Sequence, residues 1–298
     1  MENILNDVPR AATDKSKGKK RAEKIVVTAV KYLLLAAFSI FFIFPFVIMI
    51  CYSFLTDSES LQQVLISPSR TFYVGAYIRI LQNTKYLGYL KNSVITSVLA
   101  AIGSALSSSL CAYGFAKLEF KGKNTMFGIV LATMMIPSIV TQIPLFRVYQ
   151  KLGFMDTLLP LWLPACFGGG ATNIFLMTQF MRGIPNDLNN AAKIDGAGSF
   201  RIFAVMMIPL CLPIFLYVLV TAFMGTWNDY MTPLMFVTNP AKFTLSLGIM
   251  QDYGKITASS TPNYSMAAGF IMMLPCLVLF FAFQKYLIEG VTVTGLKG

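Results

Sequence analysis

Six stretches of this 298-residue chain contain no Asp, Glu, Lys or Arg: 32–56, 92–116, 124–146, 157–181, 202–228 and 256–284. Each exceeds the ~20 apolar residues that a helix needs to cross a bilayer. Backbone groups in lipid have no water to bond, so spans of this kind are helices; a β-barrel would show ~10-residue alternating segments instead. The uncharged windows leave only 12% charged residues, with mean hydropathy +0.65. A water-facing surface takes about twice that share of charge. The sequence therefore reads as an all-α, multi-pass membrane protein of six transmembrane helices, and a soluble enzyme is excluded. Histidine is absent, which removes His-based triads, bases and metal sites. Cys51, Cys111, Cys166, Cys211 and Cys276 are odd in number and lack CxxC spacing. They read as small hydrophobes.

The net charge of +11 supplies the orientation. Six spans place both termini on one side, with inner segments 1–31, 117–123, 182–201 and 285–298. These hold 16 of the 24 Lys and Arg residues, eight of them in the first segment. By the positive-inside rule the chain is N-in and C-in. Residues 1–24 read as a basic cytoplasmic tail that contacts lipid headgroups rather than nucleic acid, and 25–298 as one six-span domain. Proline punctuates the windows. The fourth, with Pro160, Pro164 and Gly168-Gly169-Gly170, is the least regular and is expected to start late or kink.

Most loops between the windows are short, but residues 182–201 have chemistry of their own. Pro185 suits a first helical turn, and Asp187 suits a helix N-terminus. Leu188, Ala191 and Ala192 recur on one small apolar face. Asp195-Gly196 ends the helix, and Ser199 is expected to cap the next. A short helix–turn–helix on the inner surface results. By physics alone it is either a docking surface for another protein or a surface-lying connector. The serines of the second window read mainly as a close-packing surface between helices. Asn173, after the glycine run, and Asn228, at the end of the fifth window, are candidate residues of a transport path. The Asn263-Tyr264-Ser265 sequon reads as a chance occurrence.

The run Asn190-Ala191-Ala192-Lys193-Ile194-Asp195-Gly196-Ala197, followed by Ile208-Pro209-Leu210 and Pro213, resembles the E-A-A-x-x-D-G-A loop of binding-protein-dependent ABC importer permeases. Asn190 replaces the usual glutamate, which removes any ion pair made there. Three further segments resemble the carbohydrate (maltose-transporter-type oligosaccharide) subfamily. They are Leu118–Lys123, similar to R-x-x-F-x-G-K/R; Trp227-Asn228-Asp229-Tyr230 with Pro233-Leu234; and Gln284-Lys285-Tyr286 with Gly290 and Gly295-Leu296-Lys297-Gly298.

The resemblance implies a type I ABC importer permease fold in the cell membrane. It implies a second permease subunit, an ABC ATPase dimer, an extracellular or periplasmic solute-binding protein, and carbohydrate as substrate. ATP and Mg would be bound by the partner ATPase. This chain has no G-x-x-x-x-G-K-[ST] loop, so it is expected to be a non-catalytic subunit with no cofactor or metal of its own. Coupling to the ATPase would fall to Asn190, Ala191, Ala192, Ile194, Asp195, Gly196 and Ala197, with Gly290, Lys297 and Gly298 as a second candidate contact. An importer of polyamine, glycerol phosphate, phosphonate or amino acid is the alternative within the family. An ion-coupled secondary transporter would carry charge within its spans, and these windows carry none.

Overall fold

A computed structural model of the chain describes residues 10–62, 72–254 and 261–295, with side chains described from 24 to 287 within those bounds. The described residues form helices joined by short loops. The first is α1 (Arg10–Ser53), followed by the short α2 (Asp57–Leu61) and α3 (Gly75–Gln82) and the long α4 (Thr84–Lys117). Next come α5 (Lys123–Thr133), α6 (Ser138–Lys151), α7 (Leu159–Trp162) and α8 (Ala171–Arg182). Then come α9 (Asn186–Ile194), α10 (Ser199–Arg201), a π-helical stretch Ile202–Met207, α11 (Ile208–Leu210) and α12 (Leu212–Asn228). The last described helices are α13 (Met231–Phe236), α14 (Leu245–Asp252) and α15 (Pro262–Gly295). Helical backbone runs without a break from Arg10 into the first apolar window, so part of the basic tail continues the first span.

Four stretches are long and apolar enough to cross a membrane without a sharp bend: Lys24–Ser53, Thr84–Lys117, Pro262–Leu287 and, interrupted at its glycine run, Leu159–Arg182. The third and fifth windows are bent pairs. Helices α5 and α6 meet at 99°, and Ser199–Leu210 meets α12 at 83°. The sharpest bends therefore lie outside the fourth window, where the sequence placed the main irregularity. Proline accounts for both. Pro137 sits extended before α6, and a proline disfavours helical backbone at the residue before it. At the other bend Pro209 and Pro213 flank Cys211, and each lacks the N–H that would carry the ladder across. The π-turn before it inserts extra backbone into the helix.

Helix α4 is the central strut and packs chiefly against α12 and α8. Its buried stripe is made of small residues: Ser93, Ser97, Ala101, Ser104, Ser108 and Ala112. Between membrane helices, where lipid is as apolar as leucine, close van der Waals contact replaces the hydrophobic drive, and small side chains permit it. The packing reading of the serines is thus the observed one. One core surrounds Met177, Met181, Met207, Ile214 and Val218. A second, towards the other end, surrounds Tyr86, Tyr89, Trp227 and Leu245. The indole of Trp227 donates to the Met272 carbonyl at 3.0 Å and ties α12 to α15. Helix α1 packs on α15, and its apolar stretch Tyr32–Val47 stays exposed.

The fourth window breaks where the sequence expects it. Gly168, Gly169 and Gly170 all have positive φ, 92°, 65° and 93°. A Cβ on Gly169 would lie 2.5 Å from the Ser104 carbonyl oxygen, so glycine is required there by contact as well as by conformation. The opened backbone is satisfied by α4. Ser104 Oγ donates to the Gly169 carbonyl at 3.1 Å, and Ser107 Oγ to the Ala165 carbonyl at 2.9 Å. Irregular backbone at membrane depth is tolerated only when buried and bonded in this way.

Candidate functional site

The segment 182–201 folds as a helix ended by a specific cap. Helix α9 begins after Pro185, which occupies the N-cap in extended conformation, and Asn186 takes the first helical position. At the other end Gly196 has φ 81°. Its N–H bonds the Lys193 carbonyl at 3.0 Å, and the N–H of Ala197 bonds the Ala192 carbonyl at 2.9 Å. These two bonds define a Schellman cap, which calls for glycine at the left-handed position. The expected Ser199 cap is not formed: Gly198 holds the N-cap position of α10, with no side-chain cap bond.

The cap sorts the predicted coupling residues into two sets. Ala192 and Ala197 face inward against the core near Met181 and Met207. Asn190, Ala191, Ile194, Asp195 and Gly196 are exposed. The outward face is larger and more apolar than the small surface expected: Ile194 is 86% exposed, Phe200 73% and Leu188 46%. Leu188 and Ala191 therefore look outward while Ala192 looks inward, dividing the face that the spacing drew together.

The base of α9 is held by residues that sequence reasoning passed over. Lys117, the last residue of α4, is buried at 7% exposure. Its Nζ donates to the Ile184 carbonyl at 2.6 Å and to Asn186 Oδ1 at 2.8 Å. A buried ammonium needs such oxygens to offset its lost hydration, and charge-assisted bonds are the strong ones. One turn earlier the Tyr113 hydroxyl makes a long bond, 3.5 Å, to Asn189 Oδ1. The signal available was the R-x-x-F-x-G-K register, which puts Lys117 where the pattern has its cation.

Neighbouring loops complete this end of the molecule. Phe120 and Phe127 pack on Phe115, with ring centroids 6.2 and 5.3 Å away. Arg182, closing α8, lies over the Phe127 ring at 4.8 Å, a cation–π contact. Lys123 Nζ reaches Glu119 at 3.1 Å and the Leu118 carbonyl at 2.8 Å. The segments 117–123 and 182–201 thus meet at one end, as two inner loops should.

At the opposite end a second hub was also unread. Asp156 holds a left-handed φ of 55°. Its carboxylate accepts from the Thr238 hydroxyl at 2.7 Å and from the Asn239 N–H at 2.9 Å. The Thr238 hydroxyl first, then the backbone N–H groups, hold this carboxyl below the usual carboxylate range. The Asp156 carbonyl also accepts from Lys242.

The two path candidates lie apart. Asn173 Nδ2 donates to Ser104 Oγ at 3.0 Å and to the Gly169 carbonyl at 2.7 Å, bracing the glycine break. Asn228 is exposed at the end of α12 and donates to the Met224 carbonyl at 2.9 Å. Of the second candidate contact, Gly290 lies within α15, and Lys297 and Gly298 lie outside the described residues. Asn263, the sequon residue, is fully buried and donates to the Leu55 carbonyl and to Asp57, both at 3.0 Å.

Residues 105–293 match the family described as binding-protein-dependent transport system inner membrane component. The chain is 33% identical over 264 residues to the arabinooligosaccharides transport system permease protein AraQ of Halalkalibacterium halodurans, covering 86% of this chain and 91% of that protein. It is 31% identical over 261 residues to the trehalose/maltose transport system permease protein MalG of Thermococcus litoralis, covering 86% and 92%. Its fold matches a chain of a bacterial ABC transporter that imports the acidic polysaccharide alginate, with TM-score 0.77 at 20% identity over 89% of this chain and 97% of that one.

Proposed function

This chain belongs to the binding-protein-dependent transport system inner membrane components, and from that membership we propose that it is a membrane-embedded permease subunit of an ATP-driven importer for carbohydrate, in particular oligosaccharide. It works beside a second permease, with an ABC ATPase dimer inside and a solute-binding protein outside. The carbohydrate class is supported by the relatives, among which arabinooligosaccharide and trehalose/maltose permeases match over most of both chains.

The observation that carries the mechanism is the exposed, Schellman-capped helix α9 with Leu188, Ala191 and Ile194 turned outward. Energy from ATP hydrolysis must enter a chain without a phosphate-binding loop through a contact. An apolar helix face rimmed by Asn190 and Asp195 offers a groove-seeking surface for it. Ala192 and Ala197 then act from beneath, seating the helix on the core. Gly290, Lys297 and Gly298 belong to a second contact with the ATPase pair. Asn228 is offered as a path residue at the end of α12, and Asn173 as a brace for the break beside the path. ATP and Mg sit on the ATPase.

The test is reconstitution of the full importer in liposomes. ATPase rate is measured with the binding protein and a panel of arabino-, malto- and galacto-oligosaccharides and oligouronates, with spermidine and glycerol 3-phosphate as non-sugar probes. Stimulation by one or more of the sugars is expected. Stimulation confined to the non-sugar probes would overturn the carbohydrate reading.

A further inference from the structure

Helix α4 touches both the docking helix and the loops at the far end, and its 34 residues span about 50 Å at 1.5 Å per residue. At the α9 end, Lys117 grips the Ile184 carbonyl and Asn186, on either side of the turn that starts α9. Tyr113, four residues earlier and so on the same face of α4, reaches Asn189, three residues further along α9. Two separated contacts resist rotation as well as displacement, so α9 cannot swing without moving the end of α4. At the far end, Asn92 Nδ2 donates to the Ala241 and Phe243 carbonyls at 3.1 and 3.0 Å. Ser93 Oγ accepts from the Leu245 N–H at 2.7 Å, and the Tyr89 hydroxyl donates to Asp252 at 3.1 Å. The same helix is therefore bonded to the loop and short helix over 241–252.

We infer that Lys117 is a positioning residue that clamps the docking helix α9 to α4, and that α4 carries the movement of α9 directly to the outer segment 241–252. This rests on the reading of α9 as the ATPase-docking helix. Movement passed only along the chain through α8 and α10 would have to cross the glycine break on one side and the π-turn on the other. Helix α4 has neither, and the ammonium of Lys117 spans the gap between the two elements.

The experiment uses the complete importer in liposomes and reads two quantities. A photo-reactive side chain at Ala191 reports docking by crosslinking to the ATPase. The labelling rate of a cysteine at the exposed Ala241, measured with a membrane-impermeant maleimide against the chain lacking that cysteine, reports arrival of movement outside. ATP with orthovanadate is the probe. The expected wild-type result is a crosslink and a change in labelling rate of at least about fivefold, the low end of ordinary coupling between sites. Lys117→Met should keep the crosslink and lose most of the rate change. Lys117→Arg should restore it, and Asn186→Ala, which removes one acceptor only, should fall between.

A wild-type rate change in Lys117→Met or, if that variant fails to insert, in Asn186→Ala would overturn the clamp. So would loss of the crosslink in Lys117→Met, which makes the residue a fold determinant, or a wild-type crosslink with no change at Ala241. Absence of the crosslink in the wild type would instead overturn the docking reading of α9 itself.

Discussion

Gly196 shows how much one backbone conformation decides at the residue scale. Its φ of 81° closes the Schellman cap that sets which side of α9 faces out. Any side chain there pays about 1–2 kcal/mol for the left-handed conformation, although nothing lies within 4 Å of a Cβ added to it. Gly196→Ala is therefore expected to leave insertion intact and to reduce sugar-stimulated ATPase, read in liposomes; full stimulation would show that the cap is dispensable. Asp156 is the second such residue. Its depressed carboxyl pKa means that its stabilising bonds to Thr238 and Asn239 are fully present above pH ~4, the ordinary carboxylate value, and fade as pH falls through the lower folded value. The melting temperature of Asp156→Asn in detergent should lie below that of the wild type between pH 5 and 8, with the gap narrowing below pH 4. A gap that widens in acid would contradict the sign. The glycine was legible because helix ends have local chemistry. Asp156 was not, because its partners are 82 and 83 residues away.

Among the elements, the broken fourth span packs the apolar face of α8 on α4 and is held at its break by close backbone contact. Gly169 lies against the Ser104 backbone, whereas a Cβ on Gly170 would meet nothing within 4 Å. A side chain at either position is strained by the positive φ, and at Gly169 it would also run into the Ser104 backbone. Gly169→Ala should destabilise the permease by about 1–3 kcal/mol, the usual range for overpacking, measured as thermal unfolding in detergent. An unchanged melting temperature would mean that α4 yields at Ser104. The glycine run was visible in the sequence, and so was the small-residue stripe of α4. The 99° and 83° bends were not. Prolines occur in five of the six windows, and nothing local says which of them interrupts a span and which is absorbed by its neighbours. Pro144 and Pro275 lie inside helices, while Pro137 and the pair around Cys211 stand at corners.

Across the whole molecule, the two ends are chemically distinct. One gathers Lys117, Arg182, Lys123 and the docking helix; the other gathers Asp156, Lys242 and the loops tied to Asn92. A chain that is N-in and C-in places Ala191 inside. A cysteine at Ala191 should resist a membrane-impermeant maleimide in intact cells and react after permeabilisation, while one at Ala241 reacts from outside; the opposite pattern would invert the topology. The reporter belongs at Ala191 rather than Ala192, because Ala192 is turned into the core.

What the sequence determined by itself is whatever depends on neighbours along the chain. The uncharged windows, the glycine-ended helix over 186–194 and the charge bias across the membrane are set by hydropathy, turn chemistry and Lys/Arg placement, each readable within a few residues. Tertiary structure decided what depends on residues that meet only after folding. The split of the coupling face into outward Ala191 and Ile194 and inward Ala192 and Ala197 needed the core beneath α9. The role of Lys117 needed a carbonyl 67 residues away. A lysine at the end of an apolar helix reads as a solvated charge, and only burial against acceptors from another helix makes it a clamp.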